Sequence, residues 1–185
     1  QDALAALQAA VPGDDVRVFE ALHCRAWALV RAQRFAEAGQ YYEQVLAMHR
    51  RLGLPQDTLA AKCLEGLATT LARTGQPAKA LELLAEARPL RERADDPLRL
   101  AVHWQNVATA QQLANDLAAA DAAYAQALAI LPIEGNEAFA AVLAGNLGNL
   151  RLRQGRETEA EAEFRRALGW CETVFGKDSP RLCTA

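Results

Sequence analysis

Small and apolar positions recur along this chain with a double period. Four times a small residue stands twelve positions before a second one: Ala26 and Ala38, Ala68 and Ala80, Ala108 and Ala120, Gly148 and Ala160. From one pair to the next the spacing is 42, 40 and 40 residues. The surrounding words are alike as well. Cys24-Arg-Ala-Trp leads to Arg34-Phe-Ala-Glu-Ala38, Gly66-Leu-Ala-Thr to Gln76-Pro-Ala-Lys-Ala80, Asn106-Val-Ala-Thr to Asp116-Leu-Ala-Ala-Ala120, and Asn146-Leu-Gly-Asn to Arg156-Glu-Thr-Glu-Ala160. A period in this range marks a repeat architecture, and two small residues at fixed places let paired helices approach closely.

Each segment reads as helix, tight turn, helix. The turn falls at Gln33, Gly75, Asn115 and Gly155, and Gly and Asn tolerate the left-handed backbone that ends a helix; Gln33 is the exception. On the second helices Tyr42, Leu84, Tyr124 and Phe164 share one register, followed three positions later by Val45, Ala87, Ala127 and Ala167. Spacings of three and four place both sets on one packed face. Asp57-Thr58, Asp96-Pro97 and Ser179-Pro180 supply a capping side chain ahead of a first helical turn, and Pro77 suits the first position of a helix.

First helices are therefore expected near 16–32, 57–74, 97–114 and 136–154, and second helices near 35–52, 77–94, 117–131 and 157–175. The repeats occupy 16–52, 57–94, 97–131 and 136–175 of a single domain. Residues 1–14, with a helix tail over 2–11, belong to a preceding repeat, and 178–185 open a further one. The chain starts at Gln1 and stops just after a helix-start signal, so it is expected to be a fragment of a larger protein.

Composition supports an all-α fold: 41 Ala and 27 Leu stand against 2 Ile in 185 residues, too few β-branched residues for a sheet protein. The apolar run Ala138–Ala144 is among the longest, far short of the roughly 18 residues of a membrane span, so no membrane insertion is expected. No targeting segment is visible. The net charge of −3 is spread along the chain, which gives no field to draw in nucleic acid or anionic lipid. A cytoplasmic location is favoured, with an extracytoplasmic one open if another part of the protein carries a span.

The chain resembles tetratricopeptide repeat proteins. Its third repeat carries the likeness most fully, with Trp104, Val107, Ala108, Leu117, Ala120, Tyr124, Ala127, Leu128 and Pro132 where that family keeps its signature residues. The first two repeats match less well, because Arg25 stands where a core aliphatic is usual and Arg88 where Leu is. The longer period is similar to that of kinesin light chains and bacterial signalling proteins. So are Asn146-Leu-Gly148 and the stretch Val174-Phe-Gly-Lys-Asp-Ser-Pro-Arg-Leu-Cys-Thr-Ala185. The resemblance implies a right-handed superhelical solenoid of antiparallel helix pairs whose first helices line a concave face that binds a protein or peptide.

The positions expected on that face are His23, Cys24, Trp27, Val30 and Arg31 in the first repeat and Glu65, Gly66, Thr69, Ala72 and Arg73 in the second. The third offers Gln105, Asn106, Thr109, Gln112 and Leu113, the fourth Gly145, Asn146, Asn149, Leu152 and Arg153. Asn106 and Asn146 are equivalent, with Asn149 a turn on. A primary amide donates and accepts, so it can pair with any peptide backbone; the alternative is that these residues bond neighbouring helices. Arg31, Arg73 and Arg153 share a register, either as a cationic line facing carboxylates or as a solvated edge. Trp27 is either an aromatic anchor or packs on a preceding repeat. The triplets His23, Trp27, Gly66 and Glu65, Thr69, Asn106 lack the Lys of the family's two-carboxylate clamp, so chaperone C-terminal tails are not the expected ligand.

Catalysis is not expected. Ser179 is the only serine, His23, His49 and His103 lie on different elements, and Cys24 beside His23 on a helix points about 100° away from it. Glu157, Glu159, Glu161 and Glu163 read as a charged helix exterior. Cys24, Cys63, Cys171 and Cys183 have no metal-ligand spacing and read as small, partly buried hydrophobes. No cofactor or metal is expected. Besides a protein partner in the groove, self-association through stacked solenoid ends is the second expectation.

Overall fold

Eight helices run in the order α1 (Val16–Arg31), α2 (Phe35–Arg51), α3 (Thr58–Arg73), α4 (Pro77–Arg93), α5 (Pro97–Leu113), α6 (Leu117–Ile130), α7 (Glu137–Arg153) and α8 (Glu157–Phe175). They are those of a computed structural model that describes residues 16–53 and 58–176. The expected helices over 16–175 thus form with ends shifted by one residue at most. The helix tail expected over 2–11, the Asp57 cap, Cys183 and the further repeat opened by Ser179-Pro180 lie outside the described residues.

One hydrogen-bond pattern makes all four hairpin turns. Arg34 N–H donates to Leu29 O (2.9 Å) and Gln33 N–H to Val30 O (3.0 Å); Gln76, Asp116 and Arg156 repeat the first bond to Leu71, Gln111 and Arg151 at 2.8, 2.9 and 2.9 Å. This double closure requires a left-handed residue between helix and turn. Gln33, Gly75, Asn115 and Gly155 provide it, with φ of 58°, 84°, 62° and 75°. Gln33, unsuited by residue type, is forced into the same conformation as the other three. Two of the N-caps are side-chain caps: Asp96 accepts from Arg99 N–H and Asp116 from Ala119 N–H, both at 3.0 Å.

The chain divides into two compact units, Gln1–Ala94 and Asp95–Ala185. In the first, α1 pairs with α2 and α3 with α4, and α3 packs on α2. Its core joins Phe19, Leu22 and Ala26 of α1 to Ala38, Tyr42 and Val45 of α2, Leu64 and Leu67 of α3, and Ala87 and Leu90 of α4. In the second, α5 pairs with α6 and α7 with α8, and α7 packs on α6. Ala108, Ala120, Tyr124, Ala127, Leu143 and Leu147 form the centre of its core. All the small residues that define the repeat are buried, as close helix pairing demands.

The face shared by Tyr42, Leu84 and Tyr124 is buried, but Phe164 and Ala167 at the same register of α8 are half-buried. Three sequence expectations need correction. Glu65 does not face a groove: it is buried against Arg91 of α4, accepting from Nε at 2.9 Å and from Nη2 at 2.5 Å. Glu163 is not on the charged exterior of α8, since it is buried and accepts from Arg151 Nη1 at 2.9 Å. Cys24 is exposed, whereas Cys63 and Cys171 are buried free thiols.

Candidate functional site

The residues expected on the concave face divide between the two units. In the first, Trp27 and Arg31 stand one turn apart on α1; Trp27 is 58% exposed, and the Arg31 guanidinium lies over its ring, 5.8 Å from the centroid. This ring is presented to solvent among the described residues, with a cation stacked on it. On α3, Thr69 is half-buried and turns its hydroxyl back onto the Glu65 carbonyl at 2.9 Å, which occupies its donor, while Arg73 is exposed. Gly66 is a point of close approach: a Cβ there would lie 2.3 Å from the Tyr42 ring. Ala72 is buried.

His23 sits behind this face. Its ring meets Tyr42 edge-on at 6.0 Å between centroids. Burial first, and then the Lys62 charge, hold its pKa below the ordinary 6.5. Burial also pushes the Tyr42 phenol up to about 12, with the nearby Cys63 and Cys24 thiols adding to it. Both groups therefore stay neutral around neutral pH.

In the second unit, Gln105 and Asn106 are half-buried on α5. Thr109 binds inward, donating to Gln105 O at 2.9 Å and lying 3.3 Å from the Tyr124 hydroxyl, which also reaches Gln112 Oε1 at 3.5 Å. Thr109 and Gln112 thus brace α5 on α6. The amides of Asn106, Asn146 and Asn149 make no hydrogen bond among the described residues. Asn106 and Asn146 are half-buried, and Asn149 and Arg153 are exposed.

Asn146 and Asn149 also line a slot of about 720 Å³ between α7 and α8. Ala138, Val142, Gly145 and Asn149 form one wall, at successive turns of α7. Phe164, Leu168, Cys171 and Phe175 form the other along α8. Val142, Leu168 and Phe175 are large apolar side chains left exposed, at 51%, 47% and 38%. Sequence reasoning missed this slot because it took the repeat face of α8 as packed; the Phe164, Leu168, Cys171, Phe175 spacing of four, three and four marks an apolar stripe but not whether it is covered. Among the described residues no group of His, Cys, Asp and Glu could hold a metal ion, and no helix is long and apolar enough to cross a membrane.

Two family models, both described as tetratricopeptide repeat, match residues 17–93 and 141–181. The chain belongs to the tetratricopeptide repeat family. The first model spans the two repeats in which Arg25 and Arg88 depart from the usual pattern. Arg25 there is half-buried, its guanidinium over the Tyr41 ring at 5.0 Å and its Nε enclosed without a hydrogen-bond partner among the described residues, whereas Arg88 is exposed and paired with Glu92 at 2.7 Å. Among solved structures, this tetratricopeptide repeat chain is similar to BtubC (BKLC) from P. vanneervenii, at 22% identity with a TM-score of 0.76 over 86% of this chain and 65% of that one. It thus spans just under two thirds of that relative's length. It is also similar to a putative kinesin light chain with tetratricopeptide-like repeats from Podospora anserina, at 16% identity with a TM-score of 0.71 over 89% and 80% of the two chains. A third is MamA from Desulfovibrio magneticus, at 19% and 0.63 over 87% and 78%. No curated protein matches in sequence. These likenesses place the tetratricopeptide repeat chain among all-α helical-repeat solenoids, whose general role is that of a protein-interaction scaffold.

Proposed function

We propose that the polar faces of the first helices bind an extended protein or peptide segment, and that the chain is the interaction or sensory domain of a larger, bacterial signalling protein. The observation that carries this reading is the set of amides at Asn106, Asn146 and Asn149, which have no hydrogen-bond partner among the described residues. In that reading the amides are ligand groups rather than braces between helices, and they pair with peptide N–H and C=O groups whatever the side chains are. Gln105, Thr69, Thr109, Arg73 and Arg153 flank them or their equivalents. Trp27 with its stacked Arg31 is the aromatic anchor, the kind of residue that dominates binding energy when a partner desolvates it.

Replacing Asn106 and Asn146 together with Ala tests the assignment. Each lost hydrogen bond to a ligand costs about 0.5–1.5 kcal/mol, so the pair should weaken binding of a captured partner roughly five-fold or more by titration calorimetry. Unchanged affinity with unchanged helical circular dichroism overturns it. Self-association through a repeat end is the second reading, and the exposed apolar slot between α7 and α8 is the observation that favours it.

A further inference from the structure

Of the described cysteines, Cys63 and Cys171 are buried and Cys24 is exposed. In the repeat register Cys24 stands two positions before Ala26, the place that Asn106 and Asn146 hold before Ala108 and Gly148. A thiol thus replaces the amide of the later repeats. Close to it lies a polar group without a partner: Tyr42 is only 2% exposed, and its hydroxyl makes no hydrogen bond among the described residues. The register gives the cause. The equivalent Tyr124 hydroxyl lies 3.3 Å from the Thr109 hydroxyl and 3.5 Å from Gln112 Oε1. Trp27 and Val30 take those two places in the first repeat, and neither side chain can accept a hydrogen bond.

The phenol is held in place. His23 meets its ring edge-on, and a Cβ at Gly66 would lie 2.7 Å from its oxygen, so the hydroxyl is wedged between the first helices of the two repeats, with the Cys24 and Cys63 thiols nearby. It keeps its proton far above neutral pH and is therefore a donor. We propose that Cys24 is a site of reversible thiolation, where it forms a mixed disulfide with a short, carboxylate-bearing thiol of the glutathione class. The Cys24 thiolate attacks one sulfur of the oxidised glutathione dimer, whose S–S bond breaks as the new one forms. One glutathione leaves as thiolate with the electron pair and takes up the proton that Cys24 released, so Cys24 is oxidised and that glutathione is reduced. The Tyr42 hydroxyl donates its hydrogen bond to the attacking sulfur while that sulfur is charged.

The surroundings suit an anionic adduct. Cys24, Trp27 and Arg31 are all exposed at spacings of three and four along α1, so they form one stripe, with Arg31 about 10 Å from Cys24 at helical rise. Lys62 of α3 lies beside His23, the residue before Cys24. Arg31 and Lys62 have no ion-pair partner among the described residues, and both are exposed. A glutathione hanging from Cys24 carries a carboxylate on either side of its sulfur, and these two cations are the groups to receive them. The adduct would cover Trp27 and so close the aromatic anchor. That last effect rests on the peptide-binding reading, whereas the thiol chemistry does not, and either can fail without the other.

The experiment treats the 185-residue chain with excess oxidised glutathione, folded and in concentrated urea, and follows each cysteine by mass spectrometry of acid-quenched peptides. Cys24 should take up one glutathione, released again by dithiothreitol, at least about two-fold faster in the folded chain than in urea, the low end for one hydrogen bond. Tyr42→Phe, which removes only the hydroxyl, should lower the folded rate by a similar factor. Arg31→Gln should slow the reaction with oxidised glutathione but not with the uncharged hydroxyethyl disulfide, a comparison that holds whatever becomes of the Tyr42 variant. A folded rate no greater than the rate in urea makes Cys24 an ordinary surface thiol and overturns the proposal. So does an unchanged rate in a folded Tyr42→Phe chain, or a Cys24 to Cys63 disulfide, seen as the loss of two hydrogens, in place of the adduct.

Discussion

Gln33 shows what a single residue is made to do by its neighbours. The hairpin turn needs a left-handed residue, and Gln33 adopts φ of 58° although its Cβ opposes it. Three of the four turns could be read from residue type, and the fourth only from its place in the repeat. Gln33→Gly should raise the stability of the chain by about 0.5–1 kcal/mol, since relief of the steric penalty exceeds the added freedom of the unfolded glycine. A denaturation midpoint that falls would refute this. His23 gives a pH-dependent counterpart. Its folded pKa lies below 6.5, so above pH 6.5 its contribution to stability is complete. As the pH falls through 6.5 the unfolded state takes up the proton first, and stability is lost until the folded pKa is passed. Between pH 7.5 and 5.5 the melting temperature should therefore drop further in the unmodified chain than in His23→Gln. Equal slopes for the two would show that His23 is not the group responsible.

At the level of elements, helix boundaries were legible because caps and turns are local: Asp96 and Asp116 bond amides only three residues on. Partners across a hairpin were not legible. Glu65 and Arg91 are 26 residues apart, and a small-residue period aligns backbones without saying which side chains meet. Glu65 therefore looked like a groove residue, and Glu163 like part of a solvated stripe. In fact Glu163 belongs to a network in which Arg151 also binds Asp121 at 3.0 Å, and Arg156 joins Asp121 at 3.1 Å to Glu159. The Glu65 and Arg91 pair is more deeply enclosed and less completely bonded, since Arg91 Nη1 is buried without a hydrogen-bond partner. Glu65→Leu alone leaves a buried cation and should cost about 3–5 kcal/mol, whereas Glu65→Leu with Arg91→Met should recover most of it. Chemical denaturation of the single and double variants measures this. A double variant as unstable as the single one would mean that packing, not charge, holds the site.

For the whole molecule, the fold class followed from the small-residue period together with a composition rich in Ala and Leu and poor in Ile, because every repeat must bury its face against a neighbour. What the period hid was a face left open among the described residues, the slot along α8. Its residues obey the same pattern as those of the covered repeats, so pattern could not distinguish packed from open.

The two deep ion pairs have a consequence for how such similar hairpins avoid exchanging partners. Repeat two puts its acid on the first helix, three residues before Ala68, and its base eleven after Ala80; repeat four puts its base three after Gly148 and its acid three after Ala160. If α3 closed on α8, Glu65 would meet Cys171 and Glu163 would meet Leu71. If α7 closed on α4, Arg91 would meet Gly145 and Arg151 would meet Leu83. Every cross-pairing separates the buried Glu65 and Arg91, at several kcal/mol, and takes one of two partners from Glu163 or Arg151, Glu163 keeping Arg166 and Arg151 keeping Asp121, so helices nearly interchangeable in shape are keyed to their own partners, both within one molecule and against domain swapping between two.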